Sequence, residues 1–417
     1  MEVVYPRCCG LDVHKRGPEG APVACLIGPG ADGQPHKEIR TFETVTDDLL
    51  KLADWLSEQG VTHVAMEATG VYWKPVWNLL EGNDLTLLLV NAAHIKAVPG
   101  RKTDVRDCEW IADLLRHGLL RGSYVPDRPQ RELRELTRYR TSLIRERTAE
   151  VNRLQKVLEG ANIKLAAVAS DGLGKSGREI LTALVQGQMS AEAMAQLARG
   201  RLREKIPHLE RALAGRFGPH QRFLIAQQLA HIDFLDELIA QVSREIAERM
   251  RPFAEEIARL DTIPGIDRRG AENILAEIGT DLGRFPSADH LASWAGMVPG
   301  NNESAGKRRS GTARKGDPWL RGALIQAAHA AGRTKDTYLR AQYRRLAARR
   351  GKKKAAVAVG HSILVIAYHL LTRHIDYQDL GPHYFDERDR EGVKRRLVRR
   401  LEDLGYAVTV TPAPVAA

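Results

Sequence analysis

The chain has 417 residues and a formal net charge of +11, with 63 lysines and arginines against 52 acids. This length allows two or three domains with cores of their own, and the charge favours polyanionic partners such as nucleic acid. Four cysteines without a C-x-x-C pair argue against a secreted disulfide scaffold. The N-terminal segment has no hydrophobic signal core, so we expect a cytoplasmic protein.

The first 126 residues alternate between strand-like and helix-like segments. Short apolar or β-branched runs at 8–15, 21–28, 61–69 and 86–91 predict strands, and the spacing over 47–60 predicts a helix that stops at a glycine. This pattern is typical of an α/β domain with a sheet core, which we assign to residues 1–126.

Residues 127–258 have helical periodicity. Two long charged stretches carry apolar residues at steps of three and four, the spacing of a coiled-coil seam. We predict two long helices joined by a less regular stretch at 160–220, forming an antiparallel pair or a dimerisation arm. A long amphipathic helix packed on its own domain is an equal alternative. The apolar positions are Leu133, Leu136, Leu143, Leu154 and Val157 in the first stretch, and Ile225, Leu229, Ile232, Ile239, Ile246, Met250, Phe253, Ile257 and Leu260 in the second.

Residues 259–375 are predicted to form a mostly helical C-terminal domain, and 376–417 a charged tail with a frayed end. The turn in LDTIPGIDRRGAENILAEIG, 260–279, is typical of a helix-hairpin-helix that offers backbone N–H groups to phosphate, with a plain helical corner as the alternative. The apolar run at 355–371 is short for a membrane span, so we expect no membrane association and a buried helix with His361 and His369 as core histidines.

Four acids are candidates for one metal site. Asp12 and Glu67 end predicted strands, and Asp104 and Asp107 open a helix three positions apart. Carboxylates gathered at one sheet edge repel each other unless cations lie between them, and they suit Mg²⁺ or Mn²⁺. Each acid alone could be a helix-start or surface residue, and Asp113 points to another helix face.

A second candidate site is the Gly/Ser/Asn loop at 297–318. Ser304 could attack a phosphodiester if a base or metal activates it and cations hold the phosphate. On chemistry alone Ser310 is an equal candidate, and either serine could be an ordinary turn residue. Residues 301–354 hold sixteen lysines and arginines against three acids, which favours phosphate contacts. The candidate nucleic-acid-binding residues are Lys102, Lys307, Arg308, Arg309, Arg314, Lys315 and Arg321.

Several sequence motifs resemble those of a known protein family and occur in the same order. GLDVHK, MEATGVYWKPV, VNAAHIKAVPGRKTDVRDCEWIADLL, the IPGI…AEIG hairpin and VPGNNESAGK…KGDPWLR are similar to those of the DEDD transposases of bacterial insertion sequences. That family includes the Piv-like DNA invertases, and the resemblance covers roughly 8–120 and 260–372. The family has Ser-Ser-Gly or Ser-Gly-Gly where this chain has Glu303-Ser304-Ala305-Gly306, so Ser310 stays an alternative.

The resemblance implies the following. The N-terminal domain would be ribonuclease-H-like, of the Holliday-junction-resolvase type, with Asp12, Glu67, Asp104 and Asp107 binding Mg²⁺. Ser304 would form a transient phosphoserine bond to DNA. A structured non-coding bridge RNA would pair with donor and target DNA. Homodimers would assemble into tetramers, in which the acids and the serine can come from different subunits, in the bacterial cytoplasm at the nucleoid.

We therefore expect an RNA-guided DNA transposase or recombinase with a serine–DNA intermediate. One alternative is a metal-dependent junction nuclease that uses water, in which Ser304 is a loop residue. The other is a non-catalytic protein that bridges nucleic acids and binds them with a steep salt dependence.

Overall fold

The computed structural model describes residues 2–13, 22–30, 34–68, 70–91, 107–300, 302–304, 307–310, 313 and 316–411, with only the backbone of 302–304 and 307–310. The chain divides into two compact units, Met1–Arg128 and Pro129–Ala417. The finer sequence boundaries, at 126/127, 258/259 and 375/376, stay predictions.

The N-terminal unit is built on a six-stranded sheet with the order β3-β2-β1-β4-β5-β6. β1, β4 and β5 are parallel, whereas β2, β3 and β6 are antiparallel to their neighbours. The strands are β1 Cys8–Asp12, β2 Val23–Pro29, β3 Pro35–Thr41, β4 His63–Glu67, β5 Thr86–Val90 and β6 Gly122–Ser123. A mixed α/β domain is therefore confirmed.

Helices cover both faces of this sheet. α1 (Thr46–Glu58) and α2 (Trp73–Leu80) pack on one face against a core that includes Cys9, Leu11, Val64 and Met66. α3 (Asp107–Arg116) packs on the other face with Cys8, Cys25, Ala65 and Cys108. Since alternate residues of a strand face opposite sides, each strand contributes to both cores.

Two long antiparallel helices dominate the start of the second unit: α4 (Arg128–Gly160) and α9 (Pro219–Arg249). Arg249 pairs with Glu132 at 2.8 Å near one end, and Arg147 pairs with Asp236 at 2.5 Å farther along. Leu143 packs against Leu235 and Ile239 near the second of these ion pairs. The predicted apolar stripes thus pack on each other within the chain.

The connection between the long helices, predicted to be irregular, is largely helical. It packs its own core against the distal halves of α4 and α9 through residues such as Leu154, Leu158, Ile225 and Leu229. The segments are α5 Leu165–Val168, α6 Lys175–Gln186, α7 Ala191–Ala195, a 3₁₀ helix Gly200–Lys205 and α8 Ile206–Leu213.

The second predicted helical stripe does not run unbroken to Leu260. α9 ends at Arg249, a 3₁₀ turn follows at Arg251–Phe253, and α10 begins at Ala254. Pro252 lies in this turn and has no backbone N–H for an α-helical hydrogen bond, which explains the break.

The rest of the second unit is a helical core with one β-hairpin. Apolar residues of α11, α13 and α15 meet in a single cluster with those of α10 and α12. The elements are α10 Ala254–Asp261, α11 Arg268–Ile278, α12 Ala288–Trp294, β7 Asn302–Ser304, β8 Lys307–Ser310, α13 Pro318–Ala331, α14 Tyr338–Arg350 and α15 Lys352–Arg373. The tail contains α16 Tyr384–Arg388 and α17 Arg390–Glu402, and its last residues, 412–417, lie outside the described part.

The apolar run at 355–371 forms the core helix α15, as predicted. Among the described residues α15 is the one helix long and apolar enough to cross a membrane, and half of its most apolar stretch is buried in the unit. Such burial is typical of a core helix, so membrane insertion is not indicated. The prediction of core histidines is wrong in detail: His361 and His369 are half-buried and line a cavity, because the buried face of α15 is made by residues such as Val359, Ile363 and Ala367.

We predict that Gly10→Ala unfolds at lower urea concentration, because α3 lies directly on β1 at this residue. A Cβ added to Gly10 would lie 2.3 Å from the Cys108 carbonyl oxygen and 2.4 Å from the Ala112 nitrogen, both backbone atoms. The expected loss is about 3 kcal/mol, since overpacking against backbone cannot relax by a rotamer change. Equilibrium urea unfolding measures it.

Gly28→Ala is the matched control in the same sheet. A Cβ there would meet only the Leu26 Cδ2 atom, at 3.7 Å. Its stability should change by no more than about 0.5 kcal/mol. Equal losses in the two variants would show that contact with α3 does not determine the need for glycine at position 10.

Candidate functional site

Asp12 and Glu67 lie side by side at the carboxyl edge of the N-terminal sheet. β1 and β4 are parallel neighbours with Leu11 opposite Met66, so the next positions on the two strands are Asp12 and Glu67. Gly10 contacts α3, and Ala65 belongs to the core under α3. By strand alternation Asp12 and Glu67 share this α3 face.

α3 places Asp107 at the same edge. The helix runs antiparallel to β1: its first turn contacts Gly10, and Arg116 at its end accepts backbone hydrogen bonds from Val4 and Tyr5, which precede β1. Asp107 is the first described residue of α3. The N-terminal end of a helix also carries a partial positive charge that favours nearby acids.

The metal site stays a prediction. Three described acids at one edge are hard oxygen ligands of the kind that suits Mg²⁺. Within the described ranges, however, no three His, Cys, Asp or Glu side chains form a group that could hold an ion. The fourth acid, Asp104, lies outside the described residues, as does Lys102. The Asp113 carboxylate lies away from these acids, 3.8 Å from the His117 ring nitrogen at the C-terminal end of α3.

Burial disfavours the thiolate form of two cysteines in β1, Cys8 and Cys9. Cys8 lies under α3, and burial raises the pKa of its thiol to about 12. Burial likewise raises the pKa of Cys9 on the other face of β1. These thiols therefore behave as small apolar core residues rather than nucleophiles.

Ser304 and Ser310 lie on a β-hairpin, which corrects the prediction of a loop. Ser304 is the last residue of β7 and pairs with Lys307 across a two-residue connection, so it stands beside the hairpin tip. Ser310 pairs with Asn302 at the other end of the hairpin. Both candidate nucleophiles thus lie on one hairpin, but at opposite ends of it.

The lysines and arginines predicted to bind nucleic acid in this region lie in the hairpin or shortly after it in the sequence. The backbones of Lys307, Arg308 and Arg309 form most of β8, whereas Arg314 and Lys315 lie outside the described residues. Arg321 is half-buried in α13. Their contacts with nucleic acid stay predictions.

The base of the hairpin is held by close packing. Pro299 and Ala313 form an isolated bridge that extends the hairpin, and Met297 just before it is buried. A Cβ on Gly316, just after the hairpin, would lie 2.3 Å from the Gly296 nitrogen. The two chain segments that lead into and out of the hairpin are therefore fixed against each other.

A buried ion network, not predicted from sequence, fixes the start of α13. The Arg138 guanidinium donates to both Glu277 carboxylate oxygens at 2.7 Å and to the Asp317 Oδ2 atom at 3.0 Å. The Asp317 Oδ1 atom accepts from the Trp319 and Leu320 amides as the N-cap of α13. Arg134 also contacts Glu277, at 3.3 Å. Burial raises the pKa of Glu277, and the Arg138 guanidinium opposes that rise.

The predicted helix-hairpin-helix exists as a helix–turn–helix between α10 and α11. Gly265 in its turn has φ +95°, and a Cβ there would lie 2.4 Å from the Ala327 carbonyl oxygen of α13. The turn is thus packed against α13, and Arg268 and Arg269 in the first turn of α11 are exposed. Phosphate binding at this turn stays a prediction.

Two family models match the chain, and both describe transposases. The DEDD transposase model of the IS110 type matches residues 9–163, and the model "Transposase IS116/IS110/IS902 family" matches residues 257–344. The first match contains Asp12, Glu67, Asp104 and Asp107, and the second contains the serine hairpin. Together they cover more than half of the chain. The chain belongs to the IS110/IS116 family of transposases.

Curated relatives agree with this family. The chain is 28% identical to a "Probable family 20 transposase" of Pseudomonas aeruginosa over 76% of its length and 85% of that protein. It is 24% identical to the "Transposase for insertion sequence element IS1111A" of Coxiella burnetii, over 76% of its length and 79% of the relative. It is also 29% identical to a 44.8 kDa protein of insertion element IS116 of Streptomyces clavuligerus, over 54% of its length.

We predict that Arg138→Met destabilises this transposase by about 2–4 kcal/mol in equilibrium unfolding. The substitution leaves Glu277, whose exposed fraction is 2%, with Arg134 as its guanidinium partner and removes the Asp317 contact. Removing one partner of a buried ion pair is costly because the remaining charge stays desolvated.

Arg147→Met provides the comparison on the same helix. Arg147 pairs with Asp236, but the two side chains are 32% and 48% exposed, so the loss should stay below about 1 kcal/mol. A loss for Arg138→Met no larger than this would contradict a structural role for the network.

Proposed function

We propose that this transposase cuts and rejoins donor and target DNA through a transient covalent bond between Ser304 and a DNA phosphate. The observation that carries the proposal is the position of Ser304 beside the tip of a hairpin whose base is held by Gly316, Met297 and the Asp317 cap. A nucleophile on a short, supported element can be presented to a phosphodiester in a defined orientation.

The covalent step conserves the phosphodiester energy. The Ser304 Oγ atom attacks phosphorus and loses its proton, while the bond to one deoxyribose oxygen breaks and that oxygen takes up a proton. Attack by a deoxyribose hydroxyl of another strand then releases the serine and joins the DNA. Neither step needs ATP, because the number of phosphate ester bonds is unchanged.

The acids at the sheet edge complete the proposal. The strand order, with parallel β1, β4 and β5 flanked by antiparallel β2, supports a ribonuclease-H-like domain. Asp12, Glu67, Asp104 and Asp107 would hold Mg²⁺ or Mn²⁺, which supplies positive charge for phosphoryl transfer. Asp12 and Glu67 are adjacent on one face, as a shared ion requires.

Choice of the DNA sequence would come from a structured bridge RNA. Aromatic residues make up 6% of the chain, whereas lysines and arginines are concentrated in 301–354. This composition favours contacts with nucleic-acid backbones over stacking on bases. RNA-directed pairing would then supply sequence specificity that backbone contacts lack.

We also propose that homodimers assemble into tetramers. The apolar stripes of α4 and α9, however, are not available to join the subunits. Leu143, Leu235 and Ile239 pack within one chain and are buried there. A subunit interface on these helices would use their outer face instead. Phe223 and Phe234 are 64% and 56% exposed on α9 and, eleven residues apart, share one helix face.

The test is a trapping assay with purified full-length protein, its co-purified RNA, Mg²⁺ and labelled DNA that carries the element's junction. We predict a protein–DNA adduct on a denaturing gel that peptide mapping places on Ser304. Ser304→Ala and Asp12→Asn should each abolish the adduct. Ser310→Ala is the matched control on the same hairpin and should leave the adduct in place.

The other outcomes separate the alternatives. An adduct on Ser310 would keep the mechanism and change the nucleophile. Metal-dependent cleavage without an adduct, normal in Ser304→Ala, would favour the junction nuclease. Binding with a steep salt dependence but without cleavage would favour a bridging protein. An adduct that still forms when the protein is treated with ribonuclease before the DNA is added would refute RNA guidance of the cutting step.

A further inference from the structure

A pocket of about 600 Å³ opens at the base of the serine hairpin, and the proposed chemistry does not use it. Its walls include Pro299 and Ala313, which form the bridge at the hairpin base, and Arg321 of α13. α14 and α15 close the other side. This volume lies within the range of about 300–1,000 Å³ that is usual for small-ligand pockets.

One side of the pocket is strongly cationic. Arg321, Lys353 and Lys354 line it, and no aspartate or glutamate stands among its described lining residues. The two lysines are exposed in the first turn of α15, whose backbone N–H groups add positive potential. A phosphate group is the natural occupant of this side.

The other side presents groups that can recognise a base. Gln342 donates from its Nε2 atom to the Ser362 hydroxyl at 2.9 Å. The Gln342 Oε1 atom is buried and accepts no hydrogen bond from any described residue. His361 and Ser362 lie next to it on α15. A buried acceptor without a donor costs free energy, and a rotation of the Gln342 amide toward the pocket would let an incoming N–H group remove that cost.

We propose that this pocket binds one unstacked deoxynucleotide of the DNA strand held at the serine hairpin. Arg321, Lys353 and Lys354 bind its phosphate, and Gln342 accepts a hydrogen bond from an exocyclic amine of its base. Adenine, cytosine and guanine carry such an amine, whereas thymine does not. The choice of DNA as the occupant rests on the proposed function, because the hairpin carries the candidate nucleophiles.

The pocket also has an outlet along α15. His361 and Ser362 are shared with a second cavity, of about 800 Å³, that His369 and Tyr377 line as well. A strand whose nucleotide enters the first pocket can therefore continue along the same helix. This continuity distinguishes the pocket from a closed metabolite site.

The first test is photochemical cross-linking to full-length protein that carries Ser304→Ala and Ser310→Ala, so that no serine adduct contributes. The probe is a short single-stranded DNA with random sequence around one 5-iododeoxycytidine, which keeps the exocyclic amine. Trypsin cuts after Lys354 and Arg373, which releases residues 355–373 with His361 as one peptide. We expect the cross-link on this peptide.

Lysine variants provide the matched comparison. Lys353→Gln with Lys354→Gln should lose most of the cross-link, and the slope of log affinity against log salt should fall by about 0.7 for each lost phosphate contact. Lys352→Gln, on the same exposed helix start but outside the pocket, should keep both. Equal effects of the two substitutions would overturn the assignment of the pocket.

Gln342→Leu tests recognition of the base. The ratio of the affinities for oligo-dC and oligo-dT should fall about fivefold or more, since one base contact discriminates to at least this extent. Gln326→Leu, at an exposed glutamine of α13, should leave the ratio unchanged. An unchanged ratio in Gln342→Leu would refute base recognition by this residue.

The cross-linking experiment tests the pocket and the trapping assay tests the serine chemistry, so either proposal can be rejected without the other. A cross-link on 355–373 without any serine adduct in the active protein would keep the pocket and reject the proposed chemistry. A serine adduct with cross-links only elsewhere would reject the pocket. RNA of the same sequence that cross-links to 355–373 when DNA does not would overturn DNA as the occupant.

Discussion

The buried carboxylate of Glu277 constrains much of the second unit. Desolvating a carboxylate is costly unless charged donors replace water, and here the donors come from Arg134 and Arg138 on α4. Because the Arg138 guanidinium also reaches Asp317, the positions of α4, α11 and α13 are coupled through one planar group. Apolar packing is non-directional, whereas this network makes directional contacts among the three helices. It therefore fixes the point from which the serine hairpin projects.

In the N-terminal unit, hydrophobic patterning is sufficient to predict the buried strands and the first helix. β1, β2, β4, β5 and α1 lie where alternation or helical spacing placed them. β3 was not predicted because nearly all of its residues are exposed, and β6 has only two residues. The sequence also placed Asp12 and Glu67 at strand ends. Their shared face could not be predicted, since it depends on the register of β1 against β4.

In the second unit, periodicity predicted the long helices but could not identify what covers their apolar faces. Steps of three and four are the same whether the partner helix belongs to the same chain or to another copy. The ion network had no sequence signal, because Arg138 and Glu277 are 139 residues apart and resemble solvated surface charges. The composition of the hairpin, rich in Gly, Asn and Ser, is typical of turns and predicts a loop, and its strands are too short to show an alternating pattern.

If a bridge RNA chooses the DNA sequence, as proposed, the pocket explains why the protein would still contact a base itself. Pairing with a guide selects a strand, but an attacking oxygen must reach phosphorus within a few tenths of an ångström of its productive position, and a flexible duplex cannot impose that alone. A protein pocket that holds the neighbouring nucleotide would locate the phosphate relative to the hairpin. Such a pocket would impose a preference at one position only, because Gln342 offers a single unpaired acceptor. Sequence choice by RNA and by protein would then be compatible: the guide would select the site, and Gln342 would favour one class of base beside the cut.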